Sequence, residues 1–97
     1  MITWKLTATQ NVDTTVTGAA VDRATAAAEL ITAARDAVMT TPDIELPVFT
    51  LEIDGETVGL IFTGERPTGG PDRDRSLEHL DQLENKIGAR DHAADQP

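Results

Sequence analysis

The chain has 97 residues, of which 39% are hydrophobic, and its formal net charge at pH 7 is −9. This length allows one domain with a modest core. The negative charge argues against direct binding to nucleic acid or to anionic membranes, and the absence of cysteine excludes disulfides and thiolate chemistry. The acidity can serve a basic partner, nucleic-acid mimicry or plain solubility, and we favour solubility.

The sequence predicts neither a secretory signal nor a membrane span. The first ten residues, MITWKLTATQ, lack a basic segment followed by a long apolar run. No apolar run approaches the length of a helix that crosses a bilayer. We therefore expect a soluble cytoplasmic protein. The heavy use of Ala, Thr and Asp, and of Arg over Lys, is typical of a GC-rich bacterial or phage genome.

A β-hairpin is the first predicted element. In residues 2–9, ITWKLTAT, apolar and polar side chains alternate, which is the period of a half-buried strand. A turn at QNV and a second strand, DTTVTGA, follow. A three-residue loop pairs Thr9 with Asp13 and places Trp4 opposite Gly18, where the indole can cover the glycine.

A helix is predicted next, over residues 21–39, with Asp22 as its N-cap and Pro42 as its stop signal. Its many alanines favour the helical state. The side chains predicted to face the sheet recur at helical spacing, and they are Ala24, Ala27, Ala28, Ile31, Ala34 and Val38. Arg35 lies at the edge of this face, and we expect its stem to follow the sheet while its head reaches water.

A second hairpin is predicted over residues 47–63, PVFTLEIDGETVGLIFT, with a type I′ turn at Asp54-Gly55. A regular ladder from this turn gives four pairs on the inner face: Ile53 with Glu56, Leu51 with Val58, Phe49 with Leu60, and Pro47 with Phe62. The same register leaves Val48 and Ile61 on the outer face of the sheet. Most other residues of that face are threonines, which suit an exposed strand.

The C-terminal third predicts a flexible Pro- and Gly-rich linker over residues 65–75, a short amphipathic helix over 76–88 and a disordered tail over 89–97. The apolar stripe of the helix consists of Leu77, Leu80, Leu83 and Ile87. A helix this short is marginal alone in water, so we expect the stripe to dock. We favour docking on a partner protein, with the outer sheet face near Val48 and Ile61 as the alternative.

The predicted fold is therefore an α+β domain over residues 1–64, followed by the short helix. Its β-β-α-β-β order indicates two layers, with a mainly antiparallel four-stranded sheet and one helix on its apolar face. The candidate partner-binding residues are Val48 and Ile61 on the sheet and the four stripe residues of the C-terminal helix.

The sequence contains no complete catalytic or metal-binding set. His79 and His92 lack a second histidine at helical spacing, and we expect His79 to be solvated. Carboxylates cluster around the second hairpin and in the C-terminal helix, but catalytic carboxylates need burial in contrasting environments. We therefore predict no enzymatic activity, no metal and no cofactor.

Two functions from different classes remain. One is a small non-enzymatic module that binds a protein partner, or a second copy of itself, through its sheet face, its C-terminal helix or both. The other is an antitoxin-like inhibitor whose acidic surface neutralises a basic partner. The segment TVTGAAVDRATAAAELITAA, a strand that runs into a helix, resembles part of the small antitoxins of the HicB type over about a third of the chain. The Pro- and Gly-containing motif that this family has between strand and helix is missing.

Overall fold

The computed structural model describes residues 1–10, 13–42 and 44–87. Within these ranges the chain forms an open four-stranded sheet and two helices, which confirms the predicted α+β class. The elements are β1 Ile2–Thr9, β2 Asp13–Ala20, α1 Arg23–Thr40, β3 Val48–Ile53, β4 Glu56–Phe62 and α2 Arg73–Ile87. The predicted tail over residues 89–97, and Gly88 before it, lie outside the described residues.

The sheet is antiparallel, with strand order β2-β1-β3-β4. The first hairpin has the predicted register, in which Thr9 pairs with Asp13 and Trp4 with Gly18. A Cβ atom at Gly18 would overlap the indole ring of Trp4, so the glycine makes room for the chain's one tryptophan. The indole Nε1–H donates a hydrogen bond to Glu29 Oε1 at 3.0 Å, which ties β1 to α1.

Helix α1 has the predicted N-cap, since the Thr25 backbone N–H donates to the Asp22 carboxylate at 2.7 Å. The helix begins at Arg23, two residues after the predicted start at position 21. Its buried residues are Ala26, Ala27, Leu30, Ile31, Ala34 and Val38. The prediction missed Ala26 and Leu30 and included Ala24, which is exposed, and Ala28, which is half-buried. The face differs because α1 contacts α2 as well as the sheet, whereas the predicted stripe assumed a helix with the sheet as its one neighbour.

The turn of the second hairpin is also as predicted. Asp54 and Gly55 both have positive φ, 53° and 82°, which is the backbone of a type I′ turn. Ile53 pairs with Glu56 at the base of this turn.

Two residues later the ladder departs from the prediction. Glu52 pairs with Thr57, but Leu51 pairs with Gly59, so Val58 is an extra residue in β4 and forms a β-bulge. Every β4 residue after Val58 is thereby shifted by one pairing position.

This shift inverts the faces of the last part of β4, because a one-residue change of register moves side chains to the opposite side of a sheet. Ile61 pairs with Phe49 and is 3% exposed, so it belongs to the core. The assignment of Ile61 to the outer face was therefore wrong. Leu60 and Phe62, predicted to be inside, lie on the outer face and are 51% and 64% exposed.

Residues 64–72 form a hydrogen-bonded turn where the prediction had an open, flexible linker over 65–75. The Arg66 N–H donates to the Gly70 carbonyl at 2.9 Å, and the Asp72 N–H donates to the Gly64 carbonyl at 2.7 Å. These bonds return the chain from the end of β4 to the start of α2.

Helix α2 begins at Arg73, three residues before the predicted start at position 76. Asp72 caps it, since its carboxylate accepts the Arg75 N–H at 3.1 Å. The Arg73 guanidinium donates to the backbone carbonyl of Thr41, the C-cap residue of α1. The start of α2 is therefore attached to the end of α1.

We expect the substitution Gly55→Val to lower the free energy of unfolding by about 1–2 kcal/mol, because a β-branched residue resists a positive φ. Gly55→Asn is the matched control, since asparagine tolerates this conformation and should cost much less. Both can be measured by chemical denaturation. If the two variants are equally stable, the positive φ at residue 55 is not the cause of the lost stability.

Candidate interaction surface

The apolar stripe of α2 packs on the protein's own core. Leu80 is fully buried and Leu83 is 9% exposed, while Leu77 and Ile87 are half-buried against the same cluster. Helix α2 contacts α1 and β4, so it lies beside α1 on the inner face of the sheet. Docking on a partner, which the sequence favoured, and docking on the outer face are both wrong.

A notch in β4 receives α2. The bulge at Val58 turns Gly59 toward the inner face, where a Cβ atom would overlap the methyl groups of Leu83. Without the bulge, Gly59 would lie on the outer face and the inner side of β4 would carry a larger side chain at this point. The position of α2 therefore depends on the bulge and on the glycine that follows it.

A charged contact fixes the other side of α2. Arg35 Nη2 of α1 donates to Asp81 Oδ1 at 2.9 Å and to Glu84 Oε1 at 2.8 Å. The hydrogen bond to Glu84 raises the pKa of Arg35 above its usual value, and the contact with Asp81 adds to this. Because the Arg35 side chain is 38% exposed, solvent screening limits the contribution of the contact to about 0.5–1 kcal/mol.

The head of Arg35 is partly exposed, as expected, but it also makes a contact that the sequence did not predict. The guanidinium lies between the two helices and pairs with two carboxylates of α2. A sequence pattern places Arg35 at the edge of a stripe, but it does not show that a second helix lies at that edge.

The outer face of the sheet lies opposite both helices. The buried side chains of the strands, which include Leu6, Phe49 and Leu51, point to the helices on the inner face. Paired residues share a face, so the pairings define two neighbouring outer rows, Asp13-Thr9-Val48-Phe62 and Thr15-Thr7-Thr50-Leu60. The next row contains Lys5 and Glu52, whose charged atoms are 3.7 Å apart.

One corner of this face is apolar. Phe62 lies directly opposite Val48, and Leu60 lies in the adjacent row of the same edge strand. Val48 is half-buried, while Leu60 and Phe62 expose more than half of their surface. We call Val48, Leu60 and Phe62 the apolar corner.

The sequence identified one member of the apolar corner, Val48. It missed Leu60 and Phe62 because the regular ladder placed both inside. A signal was present, since an isolated glycine within a strand pattern indicates a bulge, and Gly59 lies directly after the bulge residue. Of the six candidate partner-binding residues, the other five lie in the core or pack against it.

Among the described residues, no group of three or more His, Cys, Asp or Glu side chains is arranged to hold a metal ion. The pKa of Asp22 is lowered by the backbone N–H of Thr25, which is a capping contact. His79 was expected to be solvated, but it is half-buried.

Neither of the two described helices is long and apolar enough to cross a membrane.

Comparison with protein-family models, curated proteins and solved structures finds no match for the chain.

We expect Gly59→Ala to lower the free energy of unfolding by about 1–3 kcal/mol, because the new methyl group overlaps Leu83 and displaces α2. Chemical denaturation of the full chain gives the value. Gly64→Ala is the matched control, since a Cβ atom at Gly64 meets open space.

A double-mutant cycle identifies the cause of this loss. In a Leu83→Ala background the added methyl group has room, so Gly59→Ala should cost less there than in the wild type. If Gly59→Ala lowers the free energy of unfolding by the same amount in both backgrounds, Leu83 does not pack against Gly59.

Proposed function

We propose that this chain is a small, acidic, non-enzymatic interaction module that binds a protein partner through the outer face of its sheet. The apolar corner is its main contact point. The observation that carries the proposal is the exposure of Leu60 and Phe62, side by side with Val48, on a face that neither helix covers.

The two helices support this choice of surface. The apolar stripe of α2 packs on the protein's own core, with Leu80 and Leu83 buried, so little of it is accessible to a partner. Of the other exposed apolar residues, Val21 at 77% and Ile44 at 91% lie in connecting segments, while Val16 and Met39 lie on β2 and α1. Single exposed apolar side chains are common on soluble proteins, whereas contiguous ones mark interaction sites.

The chemistry of the corner indicates what it can bind. An aromatic side chain with aliphatic neighbours suits the apolar centre of an interface, where Phe is enriched and charged residues are depleted. The surrounding threonines supply hydroxyl groups for hydrogen bonds at the rim. A fitting partner therefore presents a shallow apolar pocket, and a neutral or basic rim complements the net charge of −9.

The test is affinity capture from cells that encode the chain, with the double substitution Leu60→Thr/Phe62→Thr compared with the wild type. Threonine is a good strand former and continues the pattern of the outer face, so the fold should persist. A specific partner should be retained by the wild type and reduced at least tenfold with the double variant, a change of about 1.4 kcal/mol. Calorimetry with the purified partner then measures the affinities directly.

Val21→Thr is the matched control, since it removes an exposed apolar side chain far from the corner in the sheet pairing. It should retain the partner at the wild-type level. Equal capture by all three proteins would contradict the apolar corner as the binding site.

The inhibitor hypothesis is the second candidate, and the net charge of −9 is the observation that favours it. It predicts a basic partner whose association rate falls steeply as salt is raised, because long-range attraction between opposite charges is screened. Affinity that stays constant with salt, but depends on Leu60 and Phe62, supports the apolar corner instead.

A further inference from the structure

The two edges of the sheet differ in their protection. Both edge strands contact a helix on the inner face, β4 with α2 and β2 with α1. At one edge, β4 is bent by the bulge at Val58. At the other edge, β2 keeps an unbroken register with β1 over its eight residues, Asp13–Ala20. Natural proteins protect such edges with prolines, lysines or bulges, because unpaired backbone groups there can pair with another chain.

Strand β2 has none of these protections. Its sequence, DTTVTGAA, contains neither proline nor lysine. Residues 13–17 are all exposed, so its far side is open within the described part of the chain. Val16 faces the helix side of the sheet, opposite Leu6, yet it is 47% exposed.

The strand is also self-complementary. An antiparallel pairing of two copies about a two-fold axis at Val16 matches inward residues with inward ones, as a continuous sheet requires. The pairs across the axis are then Val16 with Val16, Thr15 with Thr17, Thr14 with Gly18, and Asp13 with Ala19. This register brings two exposed valines together.

The charge distribution permits this contact in a protein with a net charge of −9. The one charged residue of β2 is Asp13, at its end. In the two-fold register Asp13 lies opposite Ala19 of the other copy. The two aspartates are then about 20 Å apart, well beyond a screening length of about 8 Å at physiological salt.

We propose that two copies of this chain pair through β2 to form a symmetric dimer with a continuous eight-stranded antiparallel sheet. The pairing covers the unprotected edge of both copies at once and leaves the bulged β4 strands at the ends. The outer faces become one surface, with the two apolar corners at diagonally opposite ends. The two Phe62 residues are separated by about 34 Å across seven strand spacings and by about 20 Å along the strands. Self-association through β2 does not require that the apolar corner bind a partner.

Light scattering and sedimentation of the full chain test the proposal across protein concentrations. The average mass should rise from close to that of the monomer at about 10 μM toward that of the dimer at about 1 mM. Amide hydrogen exchange should slow, at high concentration, at alternate residues of β2, because these N–H groups point away from β1.

Two double variants test the register. Thr15→Glu/Thr17→Glu places like charges opposite each other across the axis, whereas Thr15→Lys/Thr17→Glu places opposite charges there. Within one chain, position 17 lies beside Lys5 in both variants and position 15 lies beside Thr7. Positions 15 and 17 also share the outer face, so chemical denaturation of each variant separates a change in folding stability from loss of the dimer. The first should remain monomeric, and the second should dimerise at least as tightly as the wild type.

A wild type that stays monomeric up to about 1 mM would overturn the proposal. So would a Thr15→Glu/Thr17→Glu variant that still dimerises, because the contact then lies elsewhere. The double substitution Leu60→Thr/Phe62→Thr should leave the dimer intact. Loss of the dimer in that variant alone would assign self-association to the apolar corner and overturn the pairing of β2.

Discussion

The docking of α2 depends on one extra residue in β4. Val58 breaks the ladder with β3, and as a result Gly59 faces inward where Leu83 needs space. The same bulge brings Ile61 into the core and sends Leu60 and Phe62 outward. The seat of the second helix and the apolar corner of the outer face are therefore two consequences of a single change of register.

Contacts of different kinds hold α2 in this seat. Leu80 and Leu83 supply hydrophobic burial, and the fit of Leu83 over Gly59 limits how far the helix can slide. The hydrogen bonds from Arg35 to Asp81 and Glu84 are directional and add a second constraint on its orientation. The chain has more than twice as many acidic as basic residues, so the position of a basic residue such as Arg35 determines where a charged contact forms.

Local signals predicted the elements that depend on local chemistry. The Asp54-Gly55 turn, the Asp22 cap and the register of Trp4 with Gly18 each follow from residues close in sequence or directly opposite in a hairpin. The predictions failed where two distant parts of the chain meet. Leu30 in α1 and Ile61 in β4 are buried because the sheet and two helices pack together. The hydrophobic period of a single segment gives no information about such packing. The apolar corner was missed for this reason, although Gly59 carried a signal of the bulge.

The outer face is free of helices because the apolar side chains of the chain are concentrated on one side of the sheet. A chain of this size has few large apolar side chains, and both helices occupy one side of the sheet to enclose a single core. The outer side then has to be compatible with water by itself, and threonines make it so while keeping the strands favourable. Leu60 and Phe62 break that pattern on an edge strand, where they do not help to form the core. Contiguous exposed apolar side chains mark interaction sites, and the proposed contact with a partner protein therefore rests on this corner.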